Sequence, residues 1–136
     1  MINTTDLIIP YGYFNRITSF VLSNNTELKR IVIGDDCFRY VRVFELDGLI
    51  ELESVEIGEK SFTYAKTSDD IRNSKRSDGS YRIVNCPKLK SIQIGKDSFY
   101  DYHSFELNNL PSLQSIDIHD CCFHDAPSFS LTGLID

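Results

Sequence analysis

Leu89-Lys90-Ser91-Ile92-Gln93-Ile94-Gly95 decides the fold, because the chain writes this stretch four times. The other copies are Leu28-Lys29-Arg30-Ile31-Val32-Ile33-Gly34, Leu52-Glu53-Ser54-Val55-Glu56-Ile57-Gly58 and Leu113-Gln114-Ser115-Ile116-Asp117-Ile118-His119. Their leading leucines stand 24, 37 and 24 residues apart, and the long interval is 24 plus an insert of 13, Thr67 to Gly79. One more step back of 24 places Leu7, Ile9, Phe14, Phe20 and Leu22 in the columns of Ile31, Ile33, Phe38, Phe44 and Leu46. The 136 residues therefore read as one domain of five units, 3–26, 27–50, 51–87 with the flexible insert 67–79, 88–111 and 112–135. Self-similarity at such a period is the mark of a stacked repeat.

The phenylalanines check this alignment independently. One column holds Phe14, Phe38, Phe62, Phe99 and Phe123; another holds Phe20, Phe44, Phe105 and Phe129, with Tyr81 in the remaining place. All nine phenylalanines fall in these two columns, which chance placement would not produce.

Within a unit, segments of the Ile31-Val32-Ile33 and Phe105-Glu106-Leu107 type alternate inward and outward, as a strand with one buried face does. No long stripe of helical period with caps occurs, so little helix is expected. A single unit cannot bury its apolar side chains, but stacked units turn each column into a ladder. Gly34, Gly58 and Gly95 close the first strand, where glycine serves either a positive φ or a close backbone approach. Pro10 and His119 occupy the same column, and Pro87 and Pro111 set a bend before the next leucine.

The pattern Leu-x-x-Ile-x-Ile, as in Leu89-x-x-Ile92-x-Ile94 and Leu113-x-x-Ile116-x-Ile118, resembles the leucine-rich repeat. The continuation Ile-Gly-x-x-Ser-Phe, at Ile57 to Phe62 and Ile94 to Phe99, is similar to the signature of the BspA-type subclass. The resemblance implies the α/β leucine-rich-repeat class and a parallel-sheet solenoid. With the repeat count, the expectation is a β-rich right-handed solenoid of about five 24-residue coils with two short parallel strands per coil and little helix, a period and second strand that differ from the BspA-type pattern. It also implies a protein-binding scaffold, with a surface or adhesive protein built from the same repeats as the alternative. The chain departs from the family where asparagine normally follows the strand. Those places hold Gly12, Asp36, Lys60, Asp97 and Cys121, so the usual asparagine ladder is missing.

Composition narrows function by exclusion. A net charge of −6 argues against a nucleic-acid or anionic-membrane binder. Neither a signal peptide nor an apolar run of membrane-spanning length is visible, which favours the cytoplasm. Four cysteines are too few for a disulfide scaffold; Cys37 and Cys122 are three coils apart, about 14 Å at the strand spacing and beyond bridging distance. Cys86 shares the column of Leu49, Leu110 and Leu134 and is read as a small core residue. His119 to His124 is the only run with ligand chemistry, but Cys121 and Cys122 are adjacent and point to opposite faces, so no metal and no cofactor are expected. No set of residues converges on catalysis, and an enzyme is not expected.

The candidate partner-binding residues lie in two places. One is the outward column of the first strand, Val32, Glu56, Gln93 and Asp117, headed by Ile8. The other is the turn after the phenylalanine column, with Arg39, Tyr40, Tyr64 and Tyr100, residue types that dominate interface hot spots. The expected partner is another protein. Self-association through uncapped ends is a further expectation, since a bare terminal coil exposes apolar side chains and unpaired strand edges.

Overall fold

The computed structural model describes residues 5–13, 16–63, 79–99 and 102–119 in full, and the backbone of 128–132. Every regular element among them is a strand. The repeat alternates two kinds. The first-strand set is β1 (Asp6–Ile9), β3 (Arg30–Ile33), β5 (Ser54–Ile57), β7 (Ser91–Ile94) and β9 (Ser115–Ile118). The second is β2 (Ser19–Ser23), β4 (Val43–Asp47), β6 (Gly79–Val84), β8 (Tyr102–Asn108) and β10 (Ser128–Thr132). Each set forms its own five-stranded parallel sheet, in the orders β1-β3-β5-β7-β9 and β2-β4-β6-β8-β10. The chain is thus a β-solenoid, passing from one sheet to the other twice per coil.

The 24-residue columns are the pairing register. Leu7 pairs with Ile31, Ile31 with Val55, Val55 with Ile92 and Ile92 with Ile116. In the second sheet Phe20 pairs with Phe44, Phe44 with Tyr81, Tyr81 with Phe105 and Phe105 with Phe129. Coil 3 keeps this register across its insert. Gly79, counted with the insert from sequence, is the first residue of β6; the remainder, 67–78, lies outside the described residues.

Alternation explains why these segments are strands. β4 and β5 bury every second residue, and the buried ones form a single core between the sheets. Two aromatic columns interlock along it. Phe20, Phe44, Tyr81 and Phe105 stack nearly parallel at 5.4, 4.9 and 4.9 Å, and Phe38, Phe62 and Phe99 at 5.2 and 4.7 Å. Edge-on contacts such as Phe44 to Phe62 at 5.0 Å and Tyr81 to Phe99 at 4.8 Å lock the columns together. Phe62 and Phe99 are in contact although 37 residues separate them, as the repeat requires.

The turn between the sheets has an unusual backbone. Gly12, Asp36, Lys60 and Asp97 have φ of 74°, 57°, 57° and 63°, and Phe38, Phe62 and Phe99 have 57°, 57° and 53°. Left-handed phenylalanine is uncommon and strained. Here the geometry recurs coil after coil and the ring it carries is fully within the core, so packing offsets the strain. The strand-ending glycines have a different role. Gly58 and Gly95 lack a positive φ, but a Cβ on Gly95 would meet the Gly58 carbonyl carbon at 2.6 Å. Of the two roles open to that glycine column, close coil-to-coil approach is the one used.

That approach carries a hydrogen-bond ladder. The N–H of Gly34, Gly58, Gly95 and His119 donates to the carbonyl of Ile9, Ile33, Ile57 and Ile94 in the coil before, at 2.8–3.0 Å. Pro10 fills this place in coil 1 and has no N–H to give.

A serine ladder runs beside it. Cys37 N–H donates to Ser61 Oγ at 3.1 Å, and Ser61 N–H donates to Ser98 Oγ at 3.0 Å. Each hydroxyl then donates to a glycine carbonyl of the preceding coil, Ser61 to Gly34 at 2.7 Å and Ser98 to Gly58 at 2.6 Å. Cys37 does the same with its thiol, donating to the Pro10 carbonyl at 3.0 Å. Buried backbone groups at a turn need such partners, and here a small polar side chain supplies them.

Candidate functional site

β3, β5, β7 and β9 bring the outward column into one line: Val32 pairs with Glu56, Glu56 with Gln93 and Gln93 with Asp117. Adjacent parallel strands lie about 4.8 Å apart, so the four side chains form a continuous stripe on the solvent face. Val32 is half-buried, whereas Glu56, Gln93 and Asp117 are exposed. Beside the stripe runs Asp6, Arg30, Ser54, Ser91 and Ser115, in which Arg30 pairs with Asp6 at 3.7 Å. His119 Nε2 lies 3.6 Å from Asp117 Oδ2 at the far end.

Of the turn residues expected to make contacts, Arg39 is half-buried and Tyr40 is exposed. Tyr64 and Tyr100 lie outside the described residues, as do Cys121 and Cys122 of the His119 to His124 run.

Further large hydrophobics are exposed on the first two coils. Tyr11 is 74% exposed and Val21 48%, and Ile8, Tyr13, Ile17 and Ile50 are also open. Seven of the eight large exposed hydrophobics among the described residues fall between Ile8 and Ile50, which places them all on coils 1 and 2. Only Ile116 lies elsewhere. The sequence carries this signal in its outward columns: Ile8 and Val32 give way to Glu56, Gln93 and Asp117 on one sheet, and Val21 gives way to Glu45, Arg82 and Glu106 on the other.

The second sheet's polar stretch is internally satisfied. Arg82 Nε donates to Glu106 Oε1 at 3.0 Å and its Nη1 lies 3.5 Å from Glu45 Oε1. The Glu106 hydrogen bond pushes the guanidinium pKa up despite partial desolvation, with Glu45 and Asp47 adding to it. At the next turn Asn85 Nδ2 donates to Asp47 Oδ1 and Asn109 Nδ2 to Asn85 Oδ1. These groups are tied to one another across coils and serve the stack.

Among the described residues no group of three His, Cys, Asp or Glu side chains is placed to hold a metal ion. Cys37 and Cys86 are buried thiols not joined in a disulfide, and burial pushes the Cys86 thiol up. Comparison with protein families, curated proteins and solved structures finds no match to this chain.

Proposed function

We propose that this protein is a non-catalytic protein-binding scaffold of the leucine-rich-repeat type. The residues we assign to contact are the exposed apolar and aromatic residues of coils 1 and 2 and the outward stripe Val32, Glu56, Gln93 and Asp117. The observation that carries the reading is the segregation of exposed hydrophobics: Tyr11, Tyr13, Ile17, Val21 and Tyr40 gather on two coils, while coils 3 and 4 show none among the described residues. Large apolar side chains left exposed on two neighbouring coils of a folded domain favour a place that another molecule covers. Tyrosine and arginine, both present at this corner as Tyr40 and Arg39, contribute much of the energy of protein contacts. The polar stripe adds selectivity through charge complementarity.

The test is comparative affinity capture with mass spectrometry. Three baits are used: the native chain, a Tyr11→Ser/Tyr40→Ser variant, and a Glu56→Lys/Asp117→Lys variant. All four positions are exposed, so each bait should melt like the native chain. A protein retained by the native bait and lost from either variant supports the reading. A capture profile indifferent to both pairs of substitutions refutes it.

A further inference from the structure

Tyr102 makes a contact that an uninterrupted solenoid could not contain. Val43, Ser80 and Ser104 are register partners in coils 2, 3 and 4, and Val41 and Tyr102 each lie two residues before their strand partner. Val41 and Tyr102 therefore occupy the same column, two rungs apart, or about 9–10 Å. Yet Tyr102 Oη donates to the Val41 carbonyl at 2.6 Å, and both residues are buried. A side chain can reach past a whole coil only where that coil leaves its own rung open. Coil 3 is the coil with the insert, and at this rung it offers Gly79, paired with Tyr102 through a register shift between Gly79 and Ser80. A Cβ on Gly79 would stand 2.7 Å from Tyr102 Cγ, so the ring lies directly against the glycine backbone. The ring also packs edge-on against Phe99 at 4.8 Å, which makes it part of the aromatic core.

We infer that Tyr102 fills the rung that a 24-residue third coil would fill itself, so that the ring and the 13-residue insert form a matched pair. The insert leaves the column of Val41 short of one side chain in coil 3, and Tyr102 closes the gap by strapping coil 4 to coil 2. Gly79 is the threshold that lets the ring pass. Gly79, the first described residue after the insert, thus lies in the core rung beside the Tyr102 ring. Removing residues 66–78 while keeping Gly79 restores a coil of 24 and sets Ala65 two residues before Ser80, in the rung where the ring now sits. The insert and a valine at position 102, matching Val41, are then alternatives to each other.

The experiment is a double-mutant cycle on the full chain: native, deletion of 66–78, Tyr102→Val, and the two combined. Thermal and urea unfolding are followed by far-UV circular dichroism. In the native background Tyr102→Val is expected to lower the melting temperature by roughly 10 °C, from the lost ring and buried hydrogen bond. In the deletion background the same substitution should leave the melting temperature unchanged or raise it. A deletion protein that folds only when combined with Tyr102→Val supports the pairing equally. The inference fails if Tyr102→Val costs as much in the deletion background as in the native one. It fails also if the deletion protein is unfolded with either residue at 102, because a matched 24-residue coil should be accepted. Tyr102→Phe, which keeps the ring, is expected to lose about a third of the valine effect in the native chain and nothing in the deletion; equal losses in both backgrounds would again overturn the pairing.

Discussion

Replacing Phe99 by alanine and, separately, by glycine tests the packing and the backbone strain of this fold together. Phe99 is 0% exposed and touches four rings: Phe62 at 4.7 Å, Tyr81 and Tyr102 at 4.8 Å and Phe44 at 5.4 Å. Truncating a buried phenylalanine costs about 3–5 kcal/mol. Four lost aromatic contacts place Phe99→Ala in the upper half of that range, about 4–5 kcal/mol. Alanine, however, keeps a Cβ on a residue whose φ is 53°, and the left-handed region costs a non-glycine residue about 1–2 kcal/mol. Glycine removes the same ring and relieves that strain. Phe99→Gly should therefore be about 1 kcal/mol less destabilising than Phe99→Ala, although glycine is ordinarily about 0.5–1 kcal/mol worse in a strand. Phe105 is the control: it has the same ring, sits in β8 and lacks a positive φ, so there alanine should be the milder change. Urea unfolding followed by far-UV circular dichroism and tyrosine emission gives all four values, the chain having no tryptophan. A glycine as damaging as alanine at position 99, or the same order at both sites, would refute the argument that packing holds these phenylalanines in a strained backbone.

Ser61→Ala leaves the Cys37 N–H and the Gly34 carbonyl without their hydroxyl, and a loss of about 1–3 kcal/mol in urea unfolding is expected; Ser61→Cys, which copies the donor at Cys37, should lose less. Cys86 gives the fold an alkaline limit. Its folded pKa lies above the ordinary 9.0, so the unfolded chain ionises first; stability should be level below that pH and fall above it as pH rises toward the folded pKa, and Cys86→Ala should flatten the decline. Light scattering over a hundredfold concentration range should show mass rising with concentration, because β1 edges its sheet beside exposed Ile8 and because Ile116, whose column is closed in the middle coils, is 39% exposed. A constant monomer mass would dismiss that expectation.

The columns were legible because stacking makes the repeat period and the strand register the same thing. Ile31, Val55 and Ile92 are in line in the sequence and in the sheet for one reason. The outward stripe from Val32 to Asp117 followed from the same count. Four features were not legible. Phenylalanine has no preference for a positive φ, so nothing in Phe38, Phe62 or Phe99 announces the left-handed turn; the geometry comes from packing the ring inward. Nothing in the sequence at Ser61 and Ser98 announces the ladder, since a serine's hydrogen-bond partners are set by neighbouring coils. Tyr102 was hidden because its partner Val41 is 61 residues away and one coil out of step. The exposed Tyr11, Tyr13 and Ile17 were missed at the turn because apolar residues in an aromatic-rich segment look like core until the backbone's direction is known.

Pro10 gives the array a direction for growth by duplication. A unit copied between Gly58 and Gly95 would bring a glycine N–H that bonds backward and a carbonyl that accepts from ahead, so every rung on either side would still be closed. A unit grafted ahead of Asp6 would present its carbonyl to a proline and find no donor there. Lengthening by internal copying therefore costs the fold no backbone bond, while lengthening across Pro10 costs one. Relatives of different length should differ by whole coils spliced between glycine-bearing units, each carrying its own serine and its own left-handed phenylalanine.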